Sequence, residues 1–211
     1  MVPINEWTKI QAREDFSRLL AACYYQPEAQ LGTEDVFASL ALAGDALDPS
    51  LAVLARILND DFHAETIDAL LEDYSHLFLG PFNIPAKPYG SVWLEGPKTA
   101  MGDSTMAVLG LYRQGGFELD ESFRELPDHI AVELEFLYLL NFKDLEARRA
   151  GEREVQTKVA QLKQALLHHH LGRWVGPFTT AMKASAETSF YKTLAELTSR
   201  YVEMELHLER G

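Results

Sequence analysis

The sequence lacks the features that mark a disulfide-bonded, exported or membrane-spanning protein. It has one cysteine, Cys23, so neither an internal disulfide nor a zinc site built from paired cysteines can form. Its N-terminal residues show no basic stretch followed by an apolar run, and no segment approaches 18 uninterrupted apolar residues. These absences predict a cytoplasmic protein that does not insert into a membrane, with Cys23 in the core.

Catalytic motifs are also missing. The sequence contains no phosphate-binding glycine-rich loop, dinucleotide-binding glycine pattern, zinc-protease motif or nucleophile elbow. The Glu-x-x-His pairs of helical di-metal proteins are absent as well. Residues His168, His169 and His170 cannot converge on one ion, because consecutive helical residues point about 100° apart, and we interpret them as an exposed helix end. We therefore predict no catalytic residue, no metal site and no cofactor.

Basic residues are scarce relative to acidic ones. The chain has 32 acidic and 19 basic residues, a formal net charge of −13. Residues 1–80 carry 14 acids and four bases, and residues 118–135 carry seven acids and one base. The negative electrostatic field of these acidic regions repels nucleic-acid phosphates and attracts cationic partners. It thus argues against nucleic-acid binding, although solubility alone would also account for the acidity.

What the chain has in abundance is helical periodicity. Apolar residues recur at spacings of three and four, as in Ile67, Leu70, Tyr74 and Phe78. We predict an all-α, single-domain bundle of about eight to ten helices over residues 1–211. The predicted helices cover residues 5–25, 33–43, 49–59, 63–78, 102–114, 128–149, 153–169, 174–186 and 189–209. One connection, residues 79–100, is long, and its prolines, glycines and aromatic residues predict an ordered loop rather than a flexible linker.

Two segments adjoin the acidic regions and could form a binding site. The aromatic motif, residues 77–94, holds Leu77, Phe78, Tyr89 and Trp93, which suit a rigid apolar groove for a peptide's hydrophobic run. The alternative is that this loop merely fills the core. The Asp-His motif, residues 125–136, opens a predicted helix with Asp128.

The Asp-His motif also has more than one reading. His129 and Glu133 lie one turn apart, but two ligands do not make a metal site. A structural role at a packed helix start and a ligand-contacting role both remain open. If the partner carries arginines, Asp128 and Glu133 are candidates to pair with its guanidinium groups.

The order and spacing of these motifs resemble the TorD/DmsD/NarJ family of redox-enzyme maturation chaperones, and most of all its DmsD-like branch. The residues that carry the resemblance are Tyr74, Leu77-Phe78, Gly80-Pro81, Pro88-Tyr89-Gly90-Ser91-Val92-Trp93-Leu94, Gly102-Asp103-Ser104-Thr105, Pro127-Asp128-His129 and Ser189-Phe190-Tyr191 with Leu194. The sequence departs from that branch at Tyr89, where tryptophan is frequent. It departs again at Glu133-Leu134-Glu135-Phe136, which is closer to the TorD/NarJ pattern.

The resemblance implies an all-α chaperone that is not an enzyme. It would bind the twin-arginine signal peptide of a DMSO reductase-like, molybdenum-cofactor oxidoreductase and hold the apoenzyme until cofactor insertion, before export by the twin-arginine (Tat) pathway. The alternative is a related chaperone for a client without such a signal, either a nitrate reductase-type subunit or a cytosolic metalloenzyme. We expect a monomer or homodimer. The predicted peptide-binding residues are Leu77, Phe78, Pro88, Tyr89, Ser91, Trp93, Asp128, His129 and Glu133.

Overall fold

A computed structural model describes residues 6–80, 84–97, 99, 101–119 and 125–208, and within these ranges it contains only helices and connections. The helices are α1 (Glu6–Ala22), α2 (Val36–Leu47), α3 (Pro49–Ala64), α4 (Ile67–Phe78), α5 (Gly90–Leu94), α6 (Asp103–Gly115), α7 (Ile130–Ala150), α8 (Arg153–His169), α9 (Leu171–Ser185) and α10 (Ser189–Leu208), with a short 3-10 helix at Ala29–Gly32. The predicted all-α bundle is confirmed.

Local sequence signals account for several helix ends. The side chain of Asp48 accepts a hydrogen bond from the backbone nitrogen of Ser50 at 2.7 Å, and Pro49 occupies the first position of α3. Thr66 caps α4 in the same way, accepting from the nitrogen of Ala69 at 3.2 Å. Helix α7 ends at a glycine: Gly151, the residue after its last turn, takes a left-handed φ of 73°.

Several predicted boundaries were wrong. The helix predicted over residues 49–59 extends to Ala64, and the helix predicted from residue 63 begins at Ile67. The helix predicted from residue 33 begins at Val36, because Asp35 has a left-handed φ of 54° and its side chain caps nothing. The helix predicted from residue 174 begins at Leu171, and Pro177 lies in its interior rather than in its first turn. The connection 79–100 contains the short helix α5; its residues 81–83, 98 and 100 lie outside the described ranges.

The bundle is organised around α1, α7 and α10. Helix α1 packs against α7 and α2, while α10 packs against α9 and α3. Phe16 of α1 stacks on Tyr201 of α10, with ring centroids 4.5 Å apart. Cys23 is buried, as predicted. No helix within the described ranges combines the length and hydropathy that a membrane span requires.

Candidate functional site

The aromatic motif and the Asp-His motif are joined directly. The backbone nitrogen of Gly90 donates to the carbonyl of Asp128 at 2.9 Å, and that of Ile130 donates to the carbonyl of Pro88 at 2.9 Å. Tyr89 and His129 thereby form an isolated antiparallel bridge. The long loop is therefore held in register with the start of α7.

Asp128 anchors this junction from inside. Its side chain is fully buried, and Oδ2 accepts hydrogen bonds from the nitrogen of Ser91 at 2.7 Å and from Oγ1 of Thr105 at 3.2 Å. We predicted that Asp128 would open the helix of the Asp-His motif, but it opens α5 instead. A carboxylate at the start of a helix stabilises its unpaired backbone N–H groups. Asp128 thus ties α5 and α6 to the start of α7.

His129 is the residue that caps α7. Its Nδ1 accepts a hydrogen bond from the nitrogen of Ala131 at 3.2 Å, so the ring hydrogen lies on Nε2. Burial lowers the pKa of His129 to about 4, against the opposing charges of Glu125 and Asp128. The imidazole is therefore neutral at pH 7. It contacts the ring of Tyr89, with centroids 5.4 Å apart.

Tyr89 is the part of the junction that reaches the protein surface. It is half-buried, and its hydroxyl donates to Oε2 of Glu125 at 2.5 Å. Burial, this hydrogen bond and the Glu125 charge raise the pKa of Tyr89. At pH 7 the phenol is a donor to an adjacent, partly exposed carboxylate.

Glu133 points away from His129 into a buried cluster. Its carboxylate accepts from Nδ1 of His170 at 2.9 Å and from Nε1 of Trp174 at 3.2 Å. The other ring nitrogen of His170 faces the carbonyl of Ser104 at 3.1 Å. With Glu133 ionised, both nitrogens of His170 face acceptors, which favours the doubly protonated imidazolium. Gly90 borders the cluster: a Cβ there would come within 2.9 Å of His170 and Trp174.

The pKa values of this pair reflect burial and mutual attraction. Burial opposes the charge on His170, but the Glu133 carboxylate, their hydrogen bond and the Ser104 carbonyl outweigh it, and its pKa is raised. Burial also raises the pKa of Glu133, partly offset by His170 and Trp174. The prediction of an exposed histidine end was therefore wrong for His170, which is 3% exposed because the chain turns inward between α8 and α9.

The remaining predicted site residues divide by exposure. Trp93 is partly exposed, its Nε1 donates to the carbonyl of Lys87 at 2.8 Å, and its ring lies 6.3 Å from that of Phe178. Leu77 and Phe78 are buried, and Phe78 packs on Tyr74 at a centroid distance of 5.2 Å. The predicted residues that are buried are Leu77, Phe78, Pro88, Ser91, Asp128, His129 and Glu133. Direct access is left to Tyr89 and Trp93.

Sequence reasoning missed a second tyrosine–carboxylate pair close by. The hydroxyl of Tyr25, after α1, donates to Oε1 of Glu135 on α7 at 2.6 Å. The charge of Glu125 contributes to the raised pKa of both Tyr25 and Tyr89. The spacing of Glu133 and Glu135 could have indicated that only one of them is buried, because residues two apart on a helix point to opposite faces. The partner of Glu135 on α1, however, could not be read from spacing.

Comparison with known proteins identifies the family. The model of the nitrate reductase delta subunit family matches residues 44–180. The Tat proofreading chaperone DmsD of Salmonella typhi is 30% identical over 202 residues, covering 90% of this chain and 88% of that one. The chain belongs to the TorD/DmsD/NarJ family. The chaperone TorD of Vibrio parahaemolyticus is 28% identical over 166 residues, which cover 76% of this chain and 74% of that one.

The fold of this TorD/DmsD/NarJ family member is shared with a solved structure. A crystal structure described as a redox enzyme maturation protein from Archaeoglobus fulgidus matches with a TM-score of 0.55 and 21% identity, covering 90% of this chain and 93% of that one. The relatives DmsD and TorD are named chaperones rather than catalysts, which confirms the prediction of a redox-enzyme maturation chaperone that is not an enzyme.

Proposed function

We propose that the protein acts in the cytoplasm and binds the twin-arginine signal peptide of a molybdenum-cofactor oxidoreductase, which it holds as the apoenzyme until the cofactor is inserted. The observation that carries this proposal is the junction of the two motifs. The bridge between Tyr89 and His129 sets a half-buried aromatic ring beside the Glu125 carboxylate. A leader that is basic and then apolar needs both kinds of surface.

The buried residues of the junction act by positioning. Asp128 holds α5, and therefore Trp93, through the nitrogen of Ser91. His129 holds the start of α7 and packs against Tyr89. Glu133 joins α7 to α9 through His170. Substitutions at these positions would weaken peptide binding by displacing Tyr89 and Trp93 rather than by removing a contact with the peptide.

Peptide titration tests the proposal. The purified protein is mixed with leader peptides of the molybdoenzymes encoded in its genome, each beside a matched peptide with two glutamines in place of the arginines. We expect saturable binding that needs the arginines and weakens with ionic strength, because salt screens the attraction to the −13 chain. Failure of every leader to bind at low ionic strength would overturn the proposal.

A second candidate is a chaperone for a client without a twin-arginine signal. It is favoured by the match to the nitrate reductase delta subunit model over residues 44–180. The client that copurifies with the tagged protein from its own host distinguishes the two. A molybdoenzyme with its uncleaved twin-arginine leader supports the first proposal, and a reductase subunit without a leader supports the second.

A further inference from the structure

An open groove runs between α1 and α7, beside the junction of the two motifs but outside it. Its volume is about 390 Å³, and its lining is mainly apolar. Leu19 and Ala22 of α1, Leu139 and Tyr138 of α7, and Phe117 from the connection after α6 form its walls. None of these residues was predicted to bind a partner.

One end of the groove is acidic. Glu135 and Glu34 line it there, and the Tyr25 hydroxyl occupies only Oε1 of Glu135. Within the described part of the chain, no cationic side chain pairs with Glu34, Glu125 or Glu135. These carboxylates are partly or fully exposed and can accept a cation from outside.

Beyond the groove-lining Leu139, α7 presents an exposed aromatic ring, and α1 presents an arginine on the same side. Helices α1 and α7 run antiparallel, since Tyr25 meets Glu135 while Ser17 meets Asn141 through a 3.4 Å hydrogen bond. Phe142, seven residues beyond Glu135 and thus about 10 Å along α7, is 41% exposed. Arg18 lines this side and pairs with Asp15 at 3.6 Å.

We propose that the α1/α7 groove binds the client leader with its arginines at Tyr25 and Glu135 and its apolar run directed along α7 toward Phe142, while the residues that precede the arginines cover Tyr89 and Trp93 at the junction. This inference rests on the proposed function, and it adds the binding surface and the direction of the peptide. The groove lies close to the junction, because Glu135, which lines it, follows the cap residue His129 by less than two turns of α7. Charge complementarity selects this occupant: a second copy of the chain, itself at −13, would be repelled by Glu34 and Glu135.

Two substitutions test the two ends of the groove. Glu135→Gln removes the charge but keeps an acceptor for Tyr25, and Phe142→Ala removes apolar surface at the far end. We expect Glu135→Gln to weaken binding of the arginine leader by about tenfold and to reduce its salt dependence, with little change for the glutamine-substituted peptide. Phe142→Ala should weaken both peptides by several-fold. Glu146→Gln, on the exposed side of α7 with Arg149, is the matched control and should change neither.

The direction of the peptide has its own readout. A photo-crosslinking residue in the apolar run of the leader should attach to the segment from Leu139 to Phe142, and one beside the arginines should attach near Tyr25. The reversed pattern would overturn the stated direction.

The outcomes separate this inference from the proposed function. If the wild-type protein binds the leader and both variants bind it equally well, the groove is not the site and the proposed function stands. If no leader binds the wild-type protein, the proposed function itself fails. If Glu135→Gln or Phe142→Ala changes only the sedimentation of the free protein, the groove is an interface between copies of the chain and the inference is wrong.

Discussion

Two buried histidines show how position decides protonation. His129 has one nitrogen occupied by a backbone N–H, and burial lowers its pKa, whereas His170 lies between a carboxylate and a carbonyl that raise its pKa. The difference lies in their partners, because both rings are almost fully buried. Residue type alone could not separate the two, since both histidines lie beside predicted helix ends in the sequence.

The neutral His129 predicts an acid-sensitive component of stability. Its folded pKa of about 4 lies below the unfolded value near 6.5, so between these values the unfolded chain binds more protons. Stability therefore falls as the pH drops from 6.5 toward 4, by up to about 3 kcal/mol from this group. His129→Asn keeps a capping acceptor and should lose less stability over this window, as measured by urea unfolding at pH 6.5 and 4.5. Equal losses in both proteins would contradict the assignment.

Trp93 is expected to contribute directly to peptide binding. It is partly exposed, yet its ring is fixed by the Lys87 carbonyl and by Phe178, so it offers apolar area with little entropy left to lose. Trp93→Ala should weaken leader binding by about 2–4 kcal/mol, as expected for a buried aromatic anchor in an interface. Calorimetric titration measures this loss, and Leu42→Ala, at an exposed position on α2, serves as the control. Unchanged affinity would exclude Trp93 from the contact surface.

At the scale of elements, short helices depend on residues far away in sequence. Helix α5 has five residues, too few for a recognisable period, and its first turn is held by Asp128. The sequence therefore predicted an ordered loop here but not a helix. The longer helices, with several turns each, were predicted with boundary errors of up to five residues, the largest at the end of α3.

The segment that leads into α10 is held by a carboxylate of α4. The buried Asp73 accepts hydrogen bonds from the nitrogen of Glu187 at 3.0 Å and from the nitrogen and Oγ1 of Thr188 at 2.8 and 2.7 Å. Asp73→Asn removes the charge of the acceptor and puts an amide NH2 group in place of Oδ1, where it faces the donating nitrogen of Glu187 at 3.1 Å. We expect a loss of about 2–3 kcal/mol in the free energy of unfolding.

Chemical denaturation measures this loss, and the neighbouring exposed Glu72→Gln provides the control. Glu72→Gln should lower the free energy of unfolding by less than about 0.5 kcal/mol. A loss of the same size in both variants would show that the charge of α4, rather than the hydrogen bonds to α10, supports stability.

At the scale of the whole molecule, an ion pair joins the first and last helices. Arg13 of α1 donates from Nε and Nη2 to the fully buried Glu205 of α10 at 2.7 and 2.5 Å. Burial opposes ionisation of Glu205, but Arg13 and the charge of Lys163 outweigh it and its pKa is lowered. Helices α1 and α10 are thus joined by a contact between residues 192 positions apart.

Breaking this pair should destabilise the entire bundle. Arg13→Ala leaves a buried carboxylate without its main partner and should lower the free energy of unfolding by about 3–5 kcal/mol. Arg149→Ala, whose partner Glu146 is exposed, should cost under about 1 kcal/mol. The double variant Arg13→Met with Glu205→Leu should recover part of the loss in thermal unfolding, because the buried Lys163 then also loses the nearby charge of Glu205. If the double variant keeps the full loss of stability, the packing of the two side chains, and not their charges, supports the bundle.

Sequence alone determined the helical architecture, the absence of catalytic motifs, the acidic field and the two motifs that carry the family resemblance. These follow from residue type and from spacings of a few residues, which periodicity and capping encode locally. Tertiary structure decided which carboxylates face inward and which face outward: Glu133 and Asp128 are sealed inside, while Glu125 and Glu135 remain accessible. Burial of a side chain depends on partners such as His170, Tyr25 and Tyr89, which lie tens of residues away and meet the motif only after the helices pack.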